Sequence, residues 1–272
     1  MKRMMILSIF AVGIFTSSLL AASAQSIVKK EMKSSDVESK YGKKPTLSVD
    51  KDLKQSINLG FSNTTGNAET LTFNAKYKLA FTTTGYNEEA LKIAFDASAF
   101  VTENDNVRDN EEYVLNLGLE QYIVNGWLGY ASLNWLQNKF QNYDNKFSVG
   151  MGVGKELFRN AQHSLKVKIG TAYNIEDYSN NQEQKEFASL NEYIEYTNQL
   201  NTVSNLYVKL GSMQNFEDFS HDYEVLGVIG FNFAIAENIS LSIEEEVKYD
   251  ALPPVGFKKT DTKSIVRVGY NF

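Results

Sequence analysis

Residues 71–81 read LTFNAKYKLAF, and apolar and polar side chains alternate along them. One face carries Leu71, Phe73, Ala75, Tyr77, Leu79 and Phe81. The other face carries Thr72, Asn74, Lys76 and Lys78. An α-helix places residues three and four apart on one face and would mix the two classes. The stretch therefore predicts a β-strand with an apolar face and a polar face.

The same alternation recurs from Leu53 to Phe272. Each run is about ten residues long, which is the length that a tilted strand needs to cross the hydrocarbon layer of a membrane. About twelve such strands are predicted, at 53–62, 71–81, 90–101, 113–123, 127–137, 147–157, 163–173, 189–198, 203–213, 223–234, 239–249 and 262–272.

The connections between these strands alternate in length. Long polar segments such as 102–112 (TENDNVRDNEE), 137–145 (QNKFQNYDN) and 174–188 alternate with short ones such as 124–126 (VNG) and 235–238 (IAEN). Outer-membrane barrels combine long outer loops with short periplasmic turns in this way. An even strand number then returns the chain to the side from which it started.

Alternation alone fits both a membrane barrel and a soluble lipocalin-like barrel. The predicted strands are longer than the five or six residues usual in soluble sheets. In 147–157 (FSVGMGVGKEL) the polar face carries serine and glycines, which would make a weak protein core. These features favour a transmembrane antiparallel β-barrel, which we expect in the outer membrane of a bacterium.

The last strand, 264–272 (SIVRVGYNF), has apolar residues on one face and reaches an aromatic side chain. It resembles the C-terminal signal by which outer-membrane barrels are recognised for assembly. The residues that would form this signal are Val266, Val268, Tyr270 and Phe272.

The N-terminal residues 1–24 have the layout of a secretory signal peptide, with Lys2 and Arg3, an apolar run, and small residues up to the expected cleavage site at Ala24. A retained anchor is the alternative. Residues 25–50 are polar and lysine-rich and predict a periplasmic arm or linker, so that the barrel would occupy 51–272. The chain has no cysteine, and its net charge of −6 argues against nucleic acid as a partner.

From about Leu53 onward the chain resembles a family of salt-induced outer membrane proteins of proteobacteria, a domain of unknown function (number 481, YdiY-like). The resemblance lies in residues 62–77 (SNTTGNAETLTFNAKY), 127–157 and 250–272. It implies an outer-membrane barrel without assigned catalytic residues. The family often has an acidic-basic pair before the aromatic in its central loop, whereas Asn138, Lys139 and Phe140 stand there in this chain.

A barrel of this size should enclose a narrow, partly occluded lumen. Successive side chains of a strand point to opposite faces, and we call this alternation strand parity. By strand parity, the charged side chains predicted to face the lumen are Lys76, Lys78, Lys92, Asp96, Glu120, Lys166, Lys168, Glu195, Lys209, Glu224, Glu244, Glu246, Lys248, Lys263 and Arg267. They would form either the charged rings of a selective pore or a salt-bridged plug. Lysines on the second, third and seventh strands and acids on the tenth and eleventh suggest opposite walls of different sign, which would favour small anions or zwitterions.

An enzyme is a further alternative, because an outer-membrane phospholipase also has about twelve strands, with a serine and a histidine as catalytic groups. The candidates are His163 and the neighbours Ser220 and His221. Adjacent residues of a strand face opposite ways, so Ser220 and His221 are unsuited to act together. We therefore expect no catalytic residues, no cofactor and no metal site; solvated polar loops explain the acidic connections better than calcium binding. Glu245 is not expected in a membrane barrel, because the alternation of side chains along its strand places this acid on the lipid-facing surface. It would be tolerated near the rim of the barrel, or if a bulge turned it inward.

The sequence thus predicts a narrow channel for small solutes. A structural or stress-related envelope barrel without transport is the alternative, and a phospholipase-like enzyme is the third. Expected partners are outer-membrane lipid and lipopolysaccharide, the barrel assembly machinery and small solutes.

Overall fold

The computed structural model describes residues 53–66, 70–104, 107–179 and 182–272. The predicted signal peptide, its cleavage site at Ala24 and the predicted arm at 25–50 lie outside these residues. Within the described part of the chain, no helix combines the length and the apolar character that spanning a membrane requires.

The described residues form twelve β-strands that close into one antiparallel barrel. They are β1 (Lys54–Thr65), β2 (Thr70–Thr84), β3 (Ala90–Asn104), β4 (Val107–Val124), β5 (Trp127–Asn138), β6 (Tyr143–Arg159), β7 (His163–Tyr178), β8 (Lys185–Gln199), β9 (Ser204–Asn215), β10 (Tyr223–Ala236), β11 (Ile239–Asp250) and β12 (Thr260–Asn271). Strand β1 closes the barrel by pairing with β12, with Ser56 opposite Asn271 and Thr65 opposite Thr262. The predicted architecture and strand number are confirmed.

The barrel carries its apolar side chains outside and its polar side chains inside. Phe61 and Met151, which point outward, are 61% and 65% exposed, whereas the inward Asn74 and Asn174 are fully buried. A water-soluble protein has the opposite arrangement and rarely exposes so large a continuous apolar surface. The outer surface therefore matches the hydrocarbon layer of a membrane, and the soluble lipocalin-like alternative is excluded.

The two ends of the barrel differ in their connections. At one end, called here the turn end, lie both Lys54 and Asn271 together with the connections 85–89, 125–126, 160–162, 200–203 and 237–238. The connection between β4 and β5 is Asn125-Gly126, and both residues have positive φ (51° and 77°). This is the backbone that a two-residue hairpin needs to match the twist of its strands. The opposite end, called the loop end, has the longer connections 216–222 and 251–259.

Several strands extend further toward the loop end than predicted. Strand β4 has 18 residues and begins at Val107 instead of 113, and β6 has 17 residues and begins at Tyr143 instead of 147. The prediction of 102–112 as a loop is therefore wrong. Backbone hydrogen bonds continue the antiparallel ladder past the apolar belt, because the ladder does not require apolar side chains.

Facing glycines in β6 and β7 make room for an aromatic side chain on the inner wall. Gly152 pairs with Gly170 across the two strands, and Tyr130 of β5 lies against both. A Cβ atom at Gly152 would lie 2.3 Å from the carbonyl oxygen of Ile169 and 2.7 Å from the ring of Tyr130. Any side chain at this position would displace backbone as well as the ring.

We expect Gly152→Ala to lower the free energy of unfolding by about 1–3 kcal/mol, the usual effect of overpacking. Gly129→Ala on β5 is the matched control, because a Cβ there meets no atom within 4 Å. Urea unfolding in detergent micelles, followed by tryptophan fluorescence, measures both variants. Equal unfolding midpoints for the two variants would contradict this explanation of Gly152.

Candidate functional site: the interior of the barrel

The candidate site is the inner wall of the barrel, where strand register places the charged residues predicted from parity. Paired residues of neighbouring strands point to the same side, so Lys78 opposite Asp96 and Lys92 opposite Glu120 share one face. The same face carries Lys76, Lys166, Lys168, Glu195, Lys209, Glu224, Glu244, Glu246, Lys248, Lys263 and Arg267. Contacts between strands that are not neighbours show that this face is the inner one.

Near the turn end, one carboxylate is shared by two ammonium groups. Glu120 of β4 accepts from Lys166 Nζ at 2.7 Å and from Lys168 Nζ at 3.1 Å, both on β7. These pairs cross the interior, since β5 and β6 lie between the two strands. Lys168 Nζ also lies 4.6 Å from the ring centroid of Tyr193, which places an aromatic face beside the cation. The cluster is positively charged.

A second group of contacts spans the closing seam of the barrel. Arg267 of β12 pairs with Glu244 of β11 at 3.3 Å and donates from Nε to Asn74 Oδ1 of β2 at 2.7 Å. The hydroxyl of Tyr207 donates to the same Glu244 carboxylate. On the neighbouring strands, Lys76 pairs with Asp96 at 3.3 Å. Arg267 thus connects strands on both sides of β1.

Near the loop end the arrangement is reversed, and each ammonium group is shared by two carboxylates. Lys146 Nζ of β6 lies 2.7 Å from Glu176 and 2.5 Å from Glu224. Lys263 Nζ lies 2.5 Å from Glu112 and 3.6 Å from Glu246. Glu224 is on β10 and Glu112 on β4, so these contacts also cross the interior. The cross-links bridge the loop end of the lumen.

The connection between β5 and β6 folds into the loop-end mouth. Its residues Lys139–Gln141 form a 3-10 helix, which we call the mouth turn, and Asn138 caps it by accepting from Gln141 N. Gln141 Nε2 donates to Asp261 at 2.9 Å, and Gln141 Oε1 accepts from Lys248 Nζ at 2.9 Å. Both partners lie on the opposite wall, on β12 and β11. The mouth turn therefore narrows the loop end.

The sequence prediction missed several inward residues at this end: Glu112, Lys146, Glu176, Gln141 and Tyr143. Lys146 and Glu176 continue the parity of β6 and β7 beyond the predicted strand ends, so longer strands would have included them. Nothing in the sequence near Gln141 indicates its contacts, because they lie more than a hundred residues away along the chain.

The difference in charge runs along the barrel axis and not between opposite walls as expected. Inward cations toward the turn end are Lys76, Lys78, Lys92, Arg159, Lys166, Lys168, Lys209 and Arg267, and they outnumber the carboxylates Asp96, Glu120, Glu156, Glu195 and Glu244. Toward the loop end, the carboxylates Glu112, Glu176, Asp222, Glu224, Glu246, Asp250 and Asp261 outnumber Lys146, Lys185, Lys248 and Lys263. The expectation of walls that differ in sign failed because β9 and β11 also carry inward lysines, Lys209 and Lys248.

The interior is not completely filled. Leu226 points inward, yet 40% of its surface is accessible, and the inward Lys78 is exposed as well. By contrast, Glu112 and Glu176 at the loop end are only 3% exposed. Accessible interior surface therefore occurs at Lys78, which forms no ion pair with the residues that the structure describes, and at Leu226, whereas the paired acids of the loop end are buried.

Glu245 lies on the outer wall, as parity predicted, and the alternative of a bulge is wrong because the register of β11 is regular at this position. The carboxylate accepts from Ser264 Oγ of β12 at 2.5 Å. Glu192 of β8 has a similar partner, Ser212 Oγ of β9, at 2.9 Å. A hydroxyl on the adjacent strand reduces the cost of an outward carboxylate.

The predicted assembly residues of the last strand share its outer face. Val266, Val268, Tyr270 and Phe272 are 47%, 52%, 52% and 54% exposed. The backbone of Phe272 exchanges hydrogen bonds with that of Gln55 on β1, at 3.0 and 3.2 Å. Recognition of this strand by an assembly machinery stays a prediction.

The sequence profile of a family described as "Protein of unknown function, DUF481" matches residues 57–272. The chain belongs to the DUF481 family. The predicted resemblance is confirmed, whereas the salt-induced label stays a prediction. A comparison with curated proteins finds no match.

Solved structures share the fold of this DUF481 barrel. An outer membrane channel from Pseudomonas putida F1 (COG4313) superposes with a TM-score of 0.52 at 10% identity, covering 83% of this chain and 97% of the channel. The NanC porin superposes with a TM-score of 0.51 at 6% identity, covering 79% of this chain and 98% of the porin. The outer membrane phospholipase of Salmonella typhi superposes with a TM-score of 0.49 at 13% identity, covering 79% of this chain and 90% of the phospholipase. At these identities the likeness concerns the fold alone.

The Ser220 and His221 pair of this DUF481 chain lies in the exposed connection between β9 and β10. Ser220 Oγ and Asp218 Oδ1 both contact the same ring nitrogen, His221 Nδ1, at 3.1 and 2.8 Å. A catalytic relay needs the serine and the acid on different ring nitrogens. His163 Nδ1 contacts Tyr196 Oη at 2.8 Å at the turn end. No group of metal-ligating side chains occurs among the residues that the structure describes, and the absence of an enzymatic activity stays a prediction.

Proposed function

We propose that this DUF481 protein is a narrow channel for small solutes in the bacterial outer membrane, with a preference for anions. The observation that carries the proposal is the accessible interior beside the unbridged lysine Lys78, below a loop end whose acids are held by lysines. Charged rings in a narrow pore set the sign of the solute that enters. The accessible section is the one with the excess of cations, so anions are favoured there.

Planar bilayers test the proposal. Purified protein should give small, discrete conductance steps. In a potassium chloride gradient, the reversal potential should lie closer to the equilibrium potential of chloride than to that of potassium. A preparation from cells that lack the gene is the control. Silence at all voltages in repeated insertions, with folded barrel shown by its heat-modifiable gel mobility, would reject the channel.

A structural envelope barrel is the second candidate function. It is favoured by the ion pairs that cross the interior, such as Lys146 with Glu224 and Lys263 with Glu112. These contacts hold opposite walls together and would keep the barrel round without any transport. Under this alternative, removal of the gene would weaken the envelope against detergent or osmotic shock while solute uptake stays unchanged.

The location and the partners belong to the same proposal. The exposed apolar belt would contact outer-membrane lipid and lipopolysaccharide, and the last strand would be recognised by the barrel assembly machinery. The role includes no enzymatic step, and small solutes are its only expected ligands.

A further inference from the structure

The interior contains lysines whose ammonium groups form no direct ion pair with a carboxylate of the described residues: Lys78 of β2, Lys92 of β3 and Lys209 of β9. The inward lysines near the loop end are paired, as Lys146 and Lys263 illustrate. Unpaired cations inside a barrel are costly unless water or an anion compensates them. These lysines therefore mark the part of the interior that is most in need of a negative ligand.

Lys78 and Lys209 belong to one site. They lie on strands separated by β1, β12, β11 and β10, so they point into the lumen from nearly opposite walls. Two other cations of this part of the wall, Lys76 and Arg267, are already held by Asp96 and Glu244. Lys78 and Lys209 thus face each other across the lumen, and the one carboxylate directly opposite Lys209, that of Glu195 on β8, leaves their combined charge positive. An anion between them would remove the repulsion and accept hydrogen bonds from both.

The wall around these lysines leaves space for a ligand. A Cβ atom at Gly211, on the same strand as Lys209, would meet nothing closer than 3.8 Å, and one at Gly118 of β4 nothing closer than 4.0 Å. Other wall glycines, such as Gly152, leave no such room. Lys78, which points inward from β2, is itself exposed.

One apolar side chain is exposed to this space. Leu226 of β10 pairs with Gly211, is diagonal to Lys209, and has 40% of its surface accessible. The ring of Tyr207 lies beside Lys209, with the ammonium 5.5 Å from the ring centroid. An inorganic ion would use the lysines only, whereas a small organic anion would also cover the leucine.

We propose that Lys78 and Lys209 form a binding site for small organic carboxylates in the middle of the lumen, with Leu226 contacting the hydrocarbon part. The site deepens the proposed channel by naming its ligand class, but binding does not require conduction. An anion that bridges the two lysines is stabilised by two charge-assisted hydrogen bonds. The glycines at 118 and 211 provide the room.

Isothermal titration calorimetry of the full-length protein in detergent micelles tests the site, with succinate as the probe. Wild-type protein should bind succinate, and Lys78→Gln and Lys209→Gln should each weaken binding on the order of tenfold, the value of one charged hydrogen bond. Lys155→Gln is the matched control, because Lys155 lies on the outer wall with its ammonium 4.6 Å from the ring of Trp127. It should bind like the wild type.

Each other result overturns part of the proposal. No binding by folded wild-type protein, or equal weakening by Lys155→Gln, rejects the site. Inorganic phosphate that binds as tightly as succinate, or unchanged succinate binding by Leu226→Ser, rejects the organic ligand class. Succinate binding without conductance in planar bilayers upholds the site and rejects the channel. Conductance without succinate binding upholds the channel and rejects the site.

Discussion

Replacing Lys146 by methionine should destabilise the folded barrel by about 3–5 kcal/mol, the cost of breaking a buried ion pair by removing one partner. Lys146 is 9% exposed and holds Glu176 and Glu224, which lie on strands that are not neighbours of each other. Methionine keeps the length of the side chain but leaves both carboxylates facing one another. Urea unfolding in detergent micelles measures the loss as a shift of the midpoint.

Lys155→Met is the matched control, because Lys155 lies on the same strand but points outward over Trp127. Lys155→Met should lower the free energy of unfolding by about 1 kcal/mol or less, the usual contribution of an exposed cation–π contact. The double variant Lys146→Met with Glu176→Gln should recover part of the loss, since residue 176 is then neutral while Glu224 keeps its ion pair with Lys248 at 3.2 Å. Similar midpoints for Lys146→Met and Lys155→Met would show that the cross-lumen pair is not stabilising.

Most strand starts and ends at the turn end could be predicted from sequence. Strand β5 was predicted to begin at Trp127 and β11 at Ile239, and both do. The reason is local, because short polar turns such as Asn125-Gly126 fix the hairpin register on both sides. At the loop end no such signal exists. The ladder there continues into polar sequence, so an alternation of apolar residues underestimates the strands.

The sequence could predict which side chains point into the barrel, because their direction follows from the alternation of side chains along each strand. Knowing that Leu59 points outward fixes the inward position of Lys76 through the register of β1 and β2. Which charges meet across the lumen was not predictable, because it depends on barrel diameter and strand tilt. The mouth turn shows the same limit, since Gln141 meets Lys248 and Asp261 only after the barrel has closed.

The double variant Gln141→Ala with Tyr143→Ala should open the loop end and raise the single-channel conductance several-fold. Gln141 connects the mouth turn to Lys248 and Asp261 on the opposite wall. Tyr143 is 2% exposed, and the ammonium of Lys146 lies 4.9 Å from its ring centroid. Removing both side chains takes away the contacts that hold the mouth turn inside the barrel. Conductance in planar bilayers measures the change.

Tyr86→Ala is the control, because Tyr86 lies at the turn end and is 72% exposed. It should conduct like the wild type. Wild-type conductance in the double variant would mean that solutes pass elsewhere, and the mouth turn would not be the constriction. A silent wild type with a conducting double variant would identify the mouth turn as a plug. In that case the narrow lumen below it, with its excess of lysines, is a compartment closed toward the loop end and accessible from the turn end.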